Sequence, residues 1–272
     1  MIIAQITDFH IKAKGKLSYR VVDTAAYLAR CVSHIMKLEP PPDVVLATGD
    51  LVDIGRADEY RHLRELLAPL TMPVYLIPGN HDDRETLRNE FADQVYLSRD
   101  GQFLHYCVDE YPVRLIALDT VIPHRPGGEL CSERLAWLDA RLQEAPQKPT
   151  IVFMHHPPFI TGIRHMDIQG LANADSLGAI ISRHSQVERI LCGHIHRSVQ
   201  VRWNGTIAST CPSSAHQVAL DLRPDGPSSF VMEPPGFQLH VWTAAAGIVS
   251  HMGYVGAYAG PYPFFENGKL ID

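Results

Sequence analysis

Asp43-Val44-Val45-Leu46-Ala47-Thr48-Gly49-Asp50 is an almost continuous apolar run that stops abruptly at a Gly-Asp pair. A run of that kind has the composition of a strand buried on both faces, which requires layers above and below it. At its end the chain meets water, and glycine lets the backbone bend sharply so that a carboxylate stands at the strand's C-terminal end. Working outward, the same arrangement recurs four times. Residues 2–7 precede Asp8-Phe9-His10, residues 74–78 precede Gly79-Asn80-His81-Asp82, residues 150–154 precede His155-His156, and residues 189–192 precede Gly193-His194-Ile195-His196. Side chains from several strand ends can converge on one small volume, and these clusters carry enough oxygen and imidazole donors for two metal ions.

Further strands are expected over residues 114–119, 206–210 and 238–243. Between strands, residues 21–38 place Val22, Ala25, Ala26, Ala29, Val32 and Met36 at helical spacing and end before Pro40-Pro41-Pro42. Residues 58–67 and 133–142 read as two more helices, the second carrying Leu135, Leu138 and Leu142 after Ser132 as N-cap. Alternating strands and helices predict an α/β fold in which helices cover a largely β interior.

Two regions escape the pattern. Residues 161–176 form a long polar insertion after the His155-His156 strand end, expected to cap a site or meet another subunit. Residues 244–272 hold Tyr254, Tyr258, Tyr262, Phe264 and Phe265 without a period, so they are expected as an irregular tail, separate from a catalytic domain over residues 1–243. The tail's aromatics need cover from the chain's own body or from a neighbour, which predicts a homo-oligomer, a dimer or higher.

The chain has 272 residues with 46% hydrophobic content, sufficient for one large core. Its 24 basic against 30 acidic residues, with no basic run, argue against long nucleic acid as a partner. Neither a signal-peptide pattern at the start nor an apolar stretch long enough to span a membrane is present, which predicts a cytoplasmic protein. Cys31, Cys107, Cys131, Cys192 and Cys211 are odd in number, widely spaced and free of any C-x-x-C pair, so they read as buried hydrophobes.

Taken singly, Gly49-Asp50 and Asn80-His81 read as ordinary turns, Asp8 with His10 is weak evidence, and His194 with His196 is as readily structural. In order, Asp-x-His, Gly-Asp, Gly-Asn-His-Asp, His after a strand and Gly-His-x-His make the chain resemble the calcineurin-like metallophosphoesterases. The forms Gly79-Asn80-His81-Asp82-Asp83, Met154-His155-His156-Pro157-Pro158 and Cys192-Gly193-His194-Ile195-His196 are nearest to class III cyclic nucleotide phosphodiesterases and the related bacterial glycerophosphodiesterases. The likeness runs from Ile2 to about Gln217. It implies a four-layer αββα sandwich and two divalent ions, Fe, Mn, Zn or Co. One ion would be held by Asp8, His10, Asp50 and His196, the other by Asp50, Asn80, His155 and His194. His156 occupies the x of a His-x-Pro arrangement, so His155 is the implied ligand.

Asp50, Asn80 and His81 would form the catalytic group, with Asn80, His81 and His216 binding substrate. Two such ions can acidify a shared water and clamp a phosphate oxygen for in-line attack by the resulting hydroxide. Two M²⁺ ions, Asp8, Asp50 and one hydroxide sum to about +1, a match for a singly charged diester. A small phosphodiester is therefore the expected substrate; a phosphomonoesterase, protein phosphate included, and a non-catalytic scaffold are the alternatives. Asp82 and Asp83 read as a solvated helix start, Asp119 matches no ligand position, and His34, His62, His105, His184 and His240 read as structural or surface residues. Tyr19, Arg125 and His165 are expected around the pocket, and residues 161–176 and 213–217 are expected to set specificity.

Overall fold

In the computed structural model, which describes residues 1–271, the chain opens with β1 (Ile2–Ile6), α1 (Thr24–Ile35), β2 (Val44–Thr48), α2 (Ala57–Leu67), β3 (Val74–Ile77) and α3 (Arg84–Glu90). There follow β4 (Tyr106–Val108), β5 (Arg114–Leu118), β6 (Gly128–Glu129), α4 (Ser132–Glu144), β7 (Thr150–Met154), α5 (Arg164–Asp167), β8 (Leu171–Ala172) and α6 (Ala174–Ile181). The remainder is all β: β9 (Val187–Cys192), β10 (Val199–Trp203), β11 (Thr206–Thr210), β12 (Gln217–Val218), β13 (Phe230–Val231), β14 (Gly236–Thr243), β15 (Gly247–Tyr254), β16 (Phe265–Glu266) and β17 (Lys269–Leu270).

One sheet has the order β15-β14-β1-β2-β3 and the other β10-β11-β9-β7-β5-β4. The strands that precede the five polar clusters, β1, β2 and β3 in the first sheet and β7 and β9 in the second, run parallel to one another within each sheet, and β5 and β11 run parallel beside β7 and β9. Their C-terminal ends therefore point the same way in each sheet.

Side-chain alternation in the second sheet records its two faces. Leu115, Ala117, Ile151, Phe153 and Leu191 cluster with β1 and β2 residues such as Ile3, Ile6 and Val45. The intervening Ile116, Leu118, Val152, Met154 and Ile190 cluster with Leu138 and Leu142 of α4 and Leu177 of α6. On the first sheet, α1 buries Leu28, Cys31, Val32 and Ile35 in the same cluster as β1 and β2. The layering is thus helices, sheet, sheet, helices, the sandwich that the resemblance implied. No helix among the described residues is long and apolar enough to cross a membrane.

Several boundaries differ from the sequence reading. The first helix begins at Thr24 because Asp23 caps it, its carboxylate accepting from the Ala26 amide at 3.0 Å. Ser132 is not a cap but the first helical residue; Cys131, with extended backbone, holds the cap position. The tail is not irregular from residue 244: β15 pairs with β14 over eight residue pairs and forms the edge of the first sheet. The expected boundary at 243/244 falls in the turn of that hairpin. The polar insertion contains α5 and β8, whose partner is β6.

Candidate metal centre

The two sheets approach closely at their C-terminal ends, and buried polar contacts fix the approach. Gln5, on β1, donates through Nε2 to Thr48 Oγ1 and to the Cys192 carbonyl, both at 3.0 Å, tying the end of β2 to that of β9 across the sandwich. A Cβ at Gly193 would strike Thr7 Oγ1, and one at Gly79 would strike the Asp50 amide and carboxylate, so only glycine admits these close passages. The Asp8 carboxylate accepts from the His194 amide, with both oxygens at 3.1 Å.

The backbone at these ends is unusual. Asp8 (φ 54°), His10 (47°), Asp50 (49°), His194 (69°) and His196 (53°) all lie in the left-handed region, five of eleven such non-glycine residues among those described. Each costs about 1–2 kcal/mol relative to right-handed backbone. The turns aim these side chains back into the crevice between the sheets, and strain of this kind concentrates at functional sites.

All seven expected ligands meet there, Asn80 partly exposed and the others buried. His10 Nε2 and His196 Nε2 stand 3.1 Å apart, His10 Nε2 is 3.6 Å from Asp50 Oδ2, and His196 Nε2 is 3.5 Å from Asp8 Oδ1. On the other side of Asp50, Oδ1 is 3.4 Å from His155 Nε2. Asn80 Oδ1 completes that set at 3.2 Å from His155 Nε2 and 3.1 Å from His194 Nδ1. Asp50 thus turns one oxygen toward each set of donors.

These separations pass a simple test of fit. Donors about 2.0–2.2 Å from a shared ion stand about 3.0–3.5 Å from one another in octahedral or tetrahedral arrangements. Tautomers agree as well. The Nδ1–H of His196 donates to the His216 carbonyl at 3.0 Å and that of His155 to the Thr48 carbonyl at 2.8 Å, which leaves both Nε2 lone pairs facing inward.

His194, His196, His10 and Asp50 are free of protons for a cation, whereas His155 and Asp8 hold theirs. Burial, then the His155 charge, lowers His194 to about 3, and burial lowers His196 to about 4 and holds His10 well below its usual value. Burial opposes ionisation of Asp50, but His155 and His81 overcome it and keep the carboxylate well below its usual range. Burial likewise opposes protonation of His155, yet Asp50 and then Asp8 raise it to about 9; burial pushes Asp8 up to about 7.

His156 stands apart from the cage despite its proximity. Its Nδ1 accepts from Thr120 Oγ1 at 2.8 Å and its Nε2–H donates to the Pro126 carbonyl at 3.1 Å, so neither nitrogen is free. His81 donates through Nδ1–H to the Asp53 carbonyl at 2.7 Å, and its ring meets His10 edge-on at 4.6 Å. Burial works against a proton on His81, but Asp50 and Asp53 raise its pKa above the usual value. His216 is buried, its Nδ1 without a partner among the described residues and its ring 4.7 Å from that of His196.

Asp82 overturns the reading as a solvated helix start. It is buried and accepts from the amides of Leu51, Val52 and Gly79 and from the Tyr60 hydroxyl. Asp83 does cap α3, accepting from the Thr86 amide at 2.8 Å. Asp119 pairs with Arg84 rather than with the cage.

Above the cage lies a cavity of about 370 Å³ lined by the expected Tyr19, His165 and His216, together with Met166, Gln169, Val218 and Phe230, which the sequence did not single out. Arg125 does not line it; its neighbour His124 lines a second cavity of about 730 Å³ that adjoins Asn80 and His81 from the other side. A larger cleft of about 830 Å³ beside Arg197, Met252 and Tyr258 lies elsewhere and contains none of the cage residues.

A family model described as calcineurin-like phosphoesterase matches residues 1–198. The chain belongs to the calcineurin-like phosphoesterase family. It is 44% identical over 274 residues to a probable glycerophosphodiester phosphodiesterase, GpdQ, of Arcobacter nitrofigilis, covering all of both chains. It is 30% identical over 215 residues to the 3′,5′-cyclic adenosine monophosphate phosphodiesterase CpdA of Escherichia coli K12, covering 79% of this chain and 76% of the relative. Among solved structures, a dimetal phosphatase from Danio rerio superposes with a TM-score of 0.62 at 15% identity, over 94% of this chain and 99% of that one, a likeness of fold alone. Calcineurin-like phosphoesterases use a dinuclear metal site, and the buried His and Asp groups of this chain suit one.

Proposed function

We propose that this phosphoesterase hydrolyses small phosphodiesters, cyclic nucleotides or glycerophosphodiesters, with two divalent ions. Asp8, His10, Asp50 and His196 hold one ion, and Asp50, Asn80, His155 and His194 the other. The observation that carries the reading is Asp50, whose two oxygens face separate donor sets beneath a cavity that, among the described residues, no Lys or Arg lines. A phosphomonoester brings two negative charges and calls for cationic side chains, whereas a diester brings one. When bound, the ions polarise the phosphate and lower the pKa of water.

The chain's own residues supply the rest. His81, fixed by its Nδ1–H on the Asp53 carbonyl and with its pKa raised, holds a proton for the leaving alkoxide or stabilises its charge. Asn80 and His216 contact the phosphate from the cavity floor. Fe²⁺, Mn²⁺, Zn²⁺ and Co²⁺ all suit mixed Asp, Asn and His donors. Five unpaired cysteines support a reducing, cytoplasmic setting. Exposed Tyr258, Tyr262, Phe264 and Phe265 support association of copies.

The test is hydrolysis of bis(p-nitrophenyl) phosphate against p-nitrophenyl phosphate after Mn²⁺ or Co²⁺ loading. Preference for the diester is expected; turnover of the monoester alone, or of neither, refutes the proposal. His81→Ala should cut turnover far more than metal content, and equal loss of both would remove His81 from the reaction.

A further inference from the structure

The cavity over the cage is lined by two chemistries. Its floor is imidazole, carboxylate and amide, while its apolar surface comes from Tyr19, Met166, Val218 and Phe230. Three rings pack together there: Tyr19 and Phe230 have centroids 5.0 Å apart, and the His216 ring meets them at 5.2 and 5.3 Å in edge-on geometry. Because His216 also touches His196, aromatic surface runs unbroken from the cage outward.

Neither Tyr19 nor Phe230 serves a hydrophobic core, since neither joins the buried clusters. Tyr19 (φ 49°) and Arg20 (φ 67°) are both left-handed. Their loop is pinned by buried Ser18, whose hydroxyl donates to the His10 carbonyl at 3.2 Å and whose backbone pairs with Val22. That strain does not bury the tyrosine, which is 51% exposed. Phe230 arrives from a different segment, set opposite Val218 by the β12–β13 pairing. Two unrelated stretches of chain thus hold flat rings at the mouth of one site.

We propose that Tyr19 and Phe230 form a stacking platform for a planar aromatic arm of the diester, a nucleobase or another aryl group, and so favour aromatic over glycerol-type diesters. This rests on the phosphodiesterase reading above. A π-face accepts any base, so the selection made by the two rings is for planarity.

Phe230→Leu removes the ring but keeps an apolar side chain on β13, Phe230→Tyr restores a ring, and Tyr19→Leu probes the other segment. With the Mn²⁺-loaded enzyme, kcat/KM is measured for 3′,5′-cyclic AMP, bis(p-nitrophenyl) phosphate and glycerophosphoglycerol, and AMP affinity by calorimetry. The ratio of cyclic AMP to glycerophosphoglycerol activity should fall at least about ten-fold in Phe230→Leu, equivalent to about 1.4 kcal/mol, and recover in Phe230→Tyr. Tyr19→Leu should lower the same ratio, and AMP should bind more weakly to both leucine variants. A matching loss with the nitrophenyl diester assigns the platform to any planar ring; a loss confined to cyclic AMP assigns it to a nucleobase. Equal change on all three substrates, or none, overturns the platform and leaves diester hydrolysis standing. Should the wild type hydrolyse no diester, the functional reading fails instead, and the AMP affinities still decide the platform.

Discussion

Asp82 joins the turn that carries Asp50 to the turn that carries Asn80, and replacing it tests whether the cage is braced from behind. Its Oδ2 accepts from the Gly79 amide at 2.8 Å and the Leu51 amide at 3.0 Å; Oδ1 accepts from the Tyr60 hydroxyl at 2.9 Å and the Val52 amide at 3.3 Å. The residue is 9% exposed, so water does not readily replace those bonds. In Asp82→Ala three buried amides lose their acceptor while Tyr60 keeps the Asp83 carbonyl at 3.4 Å. At the lower end of about 1–3 kcal/mol for each orphaned donor, the loss is about 3–4 kcal/mol.

Asp82→Asn behaves differently. Its oxygen can face Leu51 and Gly79 while its amide group donates to the Tyr60 oxygen, leaving only the long bond to Val52 unmade, a loss of about 1 kcal/mol. At about 2–4 °C per kcal/mol for a chain of this size, Asp82→Ala should melt about 6–16 °C below the wild type and Asp82→Asn about 2–4 °C below. Because Leu51 follows Asp50 and Gly79 precedes Asn80, the alanine variant should also bind Mn²⁺ more weakly and the asparagine variant nearly normally. Scanning calorimetry of metal-free protein and isothermal titration with Mn²⁺ measure both. Equal melting points for the two variants, or unchanged Mn²⁺ affinity in Asp82→Ala, would show that the brace does not hold the turns.

Arg84 grips Asp119 with two bonds, at 2.6 and 2.9 Å, and ties α3 to the end of β5; Asp119 is fully buried. Asp119→Ala should cost about 3–5 kcal/mol in urea unfolding, the usual penalty for stranding one partner of a buried pair, and a loss below about 1 kcal/mol would refute this. His155 at about 9 and Asp8 at about 7 carry protons that a metal must displace. Mn²⁺ affinity of the metal-free protein should therefore rise from pH 6 to pH 9, with proton release detected as buffer-dependent binding enthalpy at pH 7. A flat pH profile would contradict the pairing of His155 with Asp50. Chelation should abolish diester hydrolysis, and restoration by Mn²⁺, Co²⁺, Zn²⁺ or Fe²⁺ would follow; activity that survives chelation would refute the dependence on metal.

What the sequence disclosed about the fold follows from burial. β2 and β7 were legible because every residue of each is buried, and apart from Thr48 and Thr150 their composition is apolar. β15 was not: Val249, Ser250 and His251 are exposed on an edge strand whose partner, β14, is supplied by tertiary structure. β4 is three residues long and too short for alternation to register. Around the site the same limit applies. Asp82 and Asp83 share one local signature, an acid before a helix, yet Asp83 caps α3 in solvent while Tyr60 and the turn after Asp50 enclose Asp82. Phe230 sits in a two-residue strand, and no periodicity ties it to His216.

The cage itself was legible from the order of its donor-bearing clusters at strand ends, and the fold adds that these residues sit on left-handed backbone. Five left-handed positions at about 1–2 kcal/mol each store on the order of 5–10 kcal/mol, which glycine, or in part asparagine, would relieve. Carboxylate and imidazole there, aimed at one another within 3.1–3.6 Å in a buried crevice, suit a bound cation. Donor type at a strand end could be read from the residues, whereas the strain that gives it meaning required the fold.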